Sequence, residues 1–301
     1  YQSCIWAENV PNLTVTNCSI VEPGASYGFL EFLRTNNCTY VLAKDNIFDS
    51  FNSASTFMSL FVISSGSNIT ITGNDAYNMN NWVGYNIYQT GEAYVSLYSA
   101  SNVEVSKNKF GGKHHRTAPS TYYVQHAVVD INGGSGIVIR NNLIYDTYFS
   151  NSGAGDSNNW GIRVTGSASN VEIYHNTIDR VGPTSSSNGT GYTYGIWLAS
   201  GSITSCHSNI ITNTQAPQYA TCYGVYAASS MTQSYSNVWG VVGGTTGLYG
   251  GMATEGTGGI SADPLFVDPA NFDYHLNDGS PCIGTGMNGE DMGCYGGSDP
   301  L

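Results

Sequence analysis

Short stretches in which apolar and polar residues alternate recur along this chain, and most of them end in an asparagine: VLAKDNIF, ITITGNDA, VEVSKNKF, IVIRNNLI, VEIYHNTI and the weaker TSCHSNII. Alternation with a period of two is the pattern of a half-buried strand. The asparagines are Asn46, Asn74, Asn108, Asn142, Asn176, Asn209 and Asn237, at intervals of 28, 34, 34, 34, 33 and 28 residues. A repeat of that length predicts stacked coils, each too small to bury its apolar face except against its neighbours. Carried backward, the register puts LTVTNCSI in frame with Cys18 in the asparagine column, so eight coils are expected.

A second strand precedes the first in each coil, as in GIRVTG from Gly161, GIWLAS from Gly195 and GVYAAS from Gly224. A column of buried asparagines can bond its own amides and the turn backbone above and below, which offsets the cost of desolvating each one. That column is therefore read as structural. Asn12, Asn68, Asn102 and Asn170 form another column where strands open, and a turn role is expected for them. Asn12, Asn17, Asn37, Asn68 and Asn188 also stand in glycosylation sequons, and Asn188, in a loop rich in Gly, Ser and Thr, is the better acceptor.

Through this repeat, over about residues 1–240, the chain resembles the right-handed parallel β-helix proteins, the pectate-lyase-like superfamily of secreted polysaccharide enzymes, tailspikes and adhesins. The segment ISADPLFVDPANFDYHLNDGSPCIGTGMNGEDMGCYG is similar to the closing segment of bacterial secreted β-helix repeat proteins. The resemblance implies an all-β fold, a right-handed parallel β-helix of eight coils over 1–240, with 241–301 packed on it as a closing segment of the same domain. Such a tail identifies an architecture and carries little information on activity.

Composition fits an exported protein, secreted or on the cell surface. Only 10% of residues are charged and the formal net charge is −12, which argues against a nucleic-acid partner. No run of 18 apolar residues exists to span a membrane. The chain opens on strand-like residues with neither Met nor signal peptide, so a leader and cap have been removed or the sequence is part of a longer chain. An open solenoid end exposes a sheet edge, and a preceding segment or another copy of the chain is expected to cover it. Seven cysteines without a CxxC spacing suit an oxidising compartment. Cys282 and Cys294 bracket the closing loop and are expected to pair; Cys206 with Cys222, and two of Cys4, Cys18 and Cys38, are further candidate pairs.

Function turns on where the repeat departs from itself. The longer coils carry insertions at 77–92, 111–123, 146–160 and 181–194, expected on one side of the rod as the walls of a groove. Seven of nine basic residues lie between Lys107 and Arg180, an electropositive band on an acidic protein. Strand register predicts two outward columns: Ser96, Asp130, Arg163, Trp197 and Tyr226 on one strand, and Ser106, Arg140, Tyr174, His207 and Tyr235 on the next, beside Glu104, Val138 and Glu172. Asp130 and Arg163 then become neighbours, with Arg140 diagonal to both glutamates. The plainer reading is a set of exposed ion pairs, each contributing less than about 1 kcal/mol.

The sharper reading is a site for an acidic polysaccharide. β-Elimination needs a cation on the uronate carboxylate, a base for the adjacent C–H and a donor for the leaving oxygen. Arg140 and Arg163 are the candidate cations, with His126, Lys107 or Tyr174 as acid or base and Asp130 beside them. Tyr123, Trp160, Tyr174 and Trp197 are the candidate sugar-stacking rings. Members of the superfamily that this chain resembles use clustered carboxylates to hold calcium. Only Asp130 stands forward here, so that pattern is not matched, and no metal is assigned to the His114–His115 pair either.

The commitment is an extracellular β-helix that recognises an acidic polysaccharide, with cleavage by elimination as the catalytic form of that reading. A glycoside hydrolase using Glu104 and Glu172, two coils apart, is one alternative. The other is a non-catalytic adhesin or fibre subunit joined end to end.

Overall fold

The computed structural model describes residues 3–21, 31–49, 52–53, 59–77, 80–81, 92–112, 124–147, 157–183 and 191–301. Its strands form a parallel β-helix with three faces per coil. First-face strands include Glu92–Tyr98, Val124–Asn132, Ser157–Thr165 and Tyr192–Leu198. Second-face strands include Ser101–Ser106, Ser135–Arg140, Ser169–Tyr174 and Ile203–His207. These two faces are arms of one 14-stranded sheet, joined where Glu31–Lys44 and Ser59–Thr72 run through the bend without a break. The third face is a separate sheet of eight parallel strands from Ser19–Val21 to Asn237–Trp239, one for each expected coil. Thr245–Glu255 adds a further parallel strand beside Thr221–Gln233.

The apolar residues of the alternating stretches fill the interior. Val103, Val105, Ile137, Ile139, Val171 and Ile173 of the second face meet Phe110, Ile144 and Ile178 of the third, all within one core. Between these faces runs the asparagine ladder. In each rung from Asn46 to Asn176, backbone N–H and side-chain Nδ2 both donate to Oδ1 of the next asparagine, as Asn108 does to Asn142 at 3.1 and 2.9 Å. Nδ2 also donates to a backbone carbonyl of the preceding coil, as from Asn142 to Val105 at 2.8 Å. Cys18 stands in the column as expected, its N–H donating to Asn46. The last rung differs: Asn209 donates to Ser236 Oγ at 3.0 Å, and Asn237 lies one position past the ladder, bonded to Ala262 instead. That coil is a residue shorter at the turn, and the same shift sets His207 opposite Ser234 rather than Tyr235.

Local steric demands explain the other recurrent residues. Asn12, Asn68, Asn102 and Asn170 are all left-handed, with φ between 51° and 63°, and Gly136 holds the same place one coil from Asn102 at φ 66°. Asparagine tolerates that conformation better than other residues with a side chain, so this column is selected by backbone geometry at a turn. Gly161, Gly195 and Gly224 face inward. A Cβ on Gly195 would lie 2.5 Å from Ile211 Cγ2, and one on Gly224 2.3 Å from Val238 Cγ1.

The tail runs back along the outside of the coils. Phe266–Asp268 and Asp273–Leu276 form a small antiparallel hairpin. Cys282 and Met292 pack on Ile210, and Cys294 packs with Tyr274 on Leu143 and Tyr145. The expected Cys282–Cys294 disulfide does not form, because the two thiols sit in different apolar clusters of this tail. Cys206 and Cys222 are likewise unpaired, as are Cys4, Cys18 and Cys38. Cys206 instead donates to Gln233 Oε1 at 3.0 Å. Among the described residues, no helix is long and apolar enough to cross a membrane.

Candidate functional site

The nine candidate residues separate by face. Asp130, Arg163, His126, Trp160 and Trp197 belong to first-face strands. Arg140 and Tyr174 belong to second-face strands, and Lys107 occupies the turn that follows one, at φ 54°. Tyr123 lies outside the described residues, as do the central parts of all four insertions, including Lys113, His114, His115 and Arg116. Among the described residues no hydrogen bond or ion pair joins the first-face set to the second-face set, so the candidates form two sites rather than one.

On the first face the outward column forms in the expected register, Ser96, Asp130, Arg163, Trp197, Tyr226, and ends on Gly250. Three positions earlier a second column runs Ala127, Trp160, Tyr194, Tyr223, Gly247. Arg163 grips Asp130 with two bonds, Nε to Oδ1 at 2.7 Å and a terminal nitrogen to Oδ2 at 2.6 Å, and reaches Gln125 at 3.3 Å. Asp130 is only 3% exposed, so the exposed surface pair expected from the sequence is a buried one. The guanidinium carbon lies 4.7 Å from the centre of the Trp160 ring, a cation–π contact. His126 is buried as well, edge-on to Tyr94.

The two columns together make an aromatic platform. Trp160 stacks on Trp197 at 4.7 Å and Tyr194 on Tyr226 at 4.8 Å, with Tyr223 packed 5.4 Å from Tyr226. Trp160 and Tyr194 lie beneath, while Trp197, Tyr223 and Tyr226 are half-exposed and Tyr192 is exposed beside them. Burial, with the neighbouring tyrosines, pushes the Tyr194 hydroxyl far above the usual phenol range. At its end the rings of Tyr223 and Tyr226 lie across bare glycine backbone: a Cβ on Gly250 would meet both rings at 2.7 Å. The result is a partly exposed aromatic strip along successive coils, its rings stacked in pairs and tilted between pairs, which a sugar ring can contact.

On the second face the column Ser106, Arg140, Tyr174, His207 also forms as expected. Glu104, Val138 and Glu172 run beside it in register, with Val138 between the two carboxylates. Arg140 donates to Glu104 at 2.7 Å and, from the same nitrogen, to Asp299 of the tail at 2.9 Å. Lys107 contacts the other oxygen of Asp299. Tyr174 stacks flat on His207 at 5.1 Å, and His175 Nε2 bonds Glu290 at 3.1 Å. Arg140, Tyr174, His175, His207, Glu290 and Asp299, with Gly297 and Ser298, line a cleft of about 370 Å³. Burial holds both histidines below the usual imidazole range, His175 lowering His207 further.

Among the described residues, four of the band's five lysines and arginines carry ion pairs. Besides the pairs of Lys107, Arg140 and Arg163, Arg180 bonds Asp146 and Asp179 at 2.6 Å each and reaches Tyr274 Oη at 2.8 Å. No group of three or more His, Cys, Asp or Glu side chains among the described residues could hold a metal ion.

Two sets of residues escaped the sequence reading. Tyr223 carries a signal: Trp160-Gly161-Ile162, Tyr194-Gly195-Ile196 and Tyr223-Gly224-Val225 repeat an aromatic before each inward glycine. Glu290 and Asp299 carry none, since they reach their partners across 115 and 159 residues of chain.

Residues 193–287, the last two coils and much of the tail, match a family model described as disaggregatase related. That segment contains Tyr194, Trp197, Tyr223 and Tyr226 of the platform. No curated protein and no solved structure matches the chain.

Proposed function

We propose that this protein is a polysaccharide-binding β-helix whose sugar platform is the aromatic strip of the first face. The observation that carries the reading is the half-exposed run Trp197, Tyr226 and Tyr223, held rigid from below by Trp160 and Tyr194. Rings fixed on strands of a solenoid present an apolar surface at low entropic cost, and repetition from coil to coil suits a ligand that is itself a repeating chain. The family description agrees with a target that holds aggregates together, as a matrix polysaccharide does.

On this face, recognition is favoured over elimination by what Arg163 already holds. A cation must be free to neutralise a uronate carboxylate, whereas Arg163 carries two bonds to the buried Asp130. The experiment is titration with a panel of neutral and acidic polysaccharides, followed by tryptophan fluorescence and by the ultraviolet absorbance of unsaturated uronates. Saturable quenching that Trp197→Ala weakens about tenfold, equivalent to about 1.4 kcal/mol, supports the platform. A panel without binding overturns it, and a rise in unsaturated product would restore the lyase reading.

A further inference from the structure

The cleft on the second face holds a carboxylate in an unusual way. Asp299 is itself half-exposed, yet it lies against two cations that are better buried than it is, Arg140 at 18% and Lys107 at 30% side-chain exposure. Those cations come from adjacent coils; Arg140 lines the cleft, with Lys107 beside it on the far side of Asp299, and the cleft continues along Tyr174 and His207 to Glu290.

The loop that presents Asp299 is anchored without it. Asn141 Nδ2 donates to the carbonyls of Cys294 and Gly296 at 3.1 and 2.8 Å, and Leu301 N–H closes the loop on the Cys294 carbonyl at 2.9 Å. Leu301 also packs on the Leu143, Tyr145 and Tyr274 cluster. Asp299 thus sits at the tip of a loop tied at both ends, beyond Gly296, Gly297 and Ser298, and its backbone carbonyl accepts a further bond from Arg140 at 3.4 Å, so that displacing its carboxylate requires only its side chain to rotate away.

We propose that this cleft is a second binding site, for a carboxylate borne on a sugar ring, and that Asp299 occupies the place of the ligand's carboxylate until the ligand displaces it. The guanidinium of Arg140 and the ammonium of Lys107 receive the carboxylate, as two charge-assisted donors to one anion. The ring then lies along Tyr174 and His207, whose stacked faces line the rest of the cleft. Because the internal carboxylate is tethered, it competes at high effective concentration and keeps the resting site weak. The inference is independent of the first-face platform, which shares no contact with this cleft among the described residues.

The test titrates short galacturonate oligomers, and galactose oligomers of equal length, into wild type, Asp299→Ala, Asp299→Ala/Lys107→Met and Asp299→Ala/Arg140→Ala. Each is also made with Trp197→Ala, so that binding on the platform is weakened equally in every form. Asp299→Ala is expected to bind galacturonate about tenfold or more tightly, with no gain for galactose, and the gain should shrink at high salt. Either second substitution should abolish it while the Asp299→Ala melting temperature is retained by the Lys107→Met form. No gain from Asp299→Ala, or an equal gain for the neutral sugar, would overturn the proposal and leave Asp299 as a tie for the tail.

Discussion

Arg163 illustrates how a side chain legible in sequence can change meaning once its depth is known. Its place beside Asp130 follows from strand register, but the 3% exposure of Asp130 does not. Removing one partner of a buried pair leaves a charge without compensation, so Arg163→Ala should lower stability by about 3 kcal/mol, measured by urea denaturation. Asp130→Asn/Arg163→Met should recover part of that loss. The ladder asparagines from Asn46 to Asn209 were legible, because a buried amide with two donors and an acceptor has few other uses at a fixed period, whereas Asn237 lies one position past the ladder. Asn142→Ala removes the acceptor for two donors of Asn108 and one of the two donors to Asn176 Oδ1, and about 3 kcal/mol of destabilisation is expected in the same assay.

At the scale of strands and turns, most of the pattern comes from contacts inside one coil or between adjacent coils. The inward glycines are an example: their recurrence showed in the sequence, and their cause is the third-face side chain that fills the space a Cβ would need. Gly224→Ala should therefore overpack the core at Val238 by about 2 kcal/mol, and Val238→Ala should restore much of it in thermal melts. The turn columns were read correctly in place and incompletely in reason. Asn12, Asn68, Asn102 and Asn170 share a left-handed backbone with Gly136, a feature that residue type suggests and only φ confirms. The one-residue shift after Asn209 was invisible because Asn237 mimics the expected rung at nearly the right interval.

For the molecule as a whole, the tail decides the chemistry. It carries Cys282 and Cys294 into separate apolar clusters, and burial pushes their thiols up to about 11 and about 12. A thiol reagent should therefore label exposed Cys4 first in the native protein and the five buried cysteines only on unfolding, while a reductant leaves the melting temperature unchanged. The tail also buries His175 against Glu290 and encloses His207 in the cleft. Both imidazoles lie below their ordinary value of 6.5, so as the pH falls through that value the unfolded chain takes up protons that the folded chain does not. Stability should accordingly decline from neutrality downward and level off below the folded values, with a shallower decline in His175→Gln. A further loss is expected as the pH falls below the ordinary carboxylate value of 3.8, where the unfolded chain protonates Asp299 while Lys107 and Arg140 keep it ionised in the folded chain.

The amino-acid sequence by itself determined the solenoid, its eight coils, the ladder and the outward columns, because each depends on a period of two within strands and a period near 34 between coils, both written locally. Only the tertiary structure decided which of those outward residues form a site. Separation of the candidates onto two faces arises where the faces turn away from each other, and the cover of Arg140 by Asp299 arises where the tail folds back. Such contacts join residues more than 100 positions apart, and no periodicity within the chain encodes them.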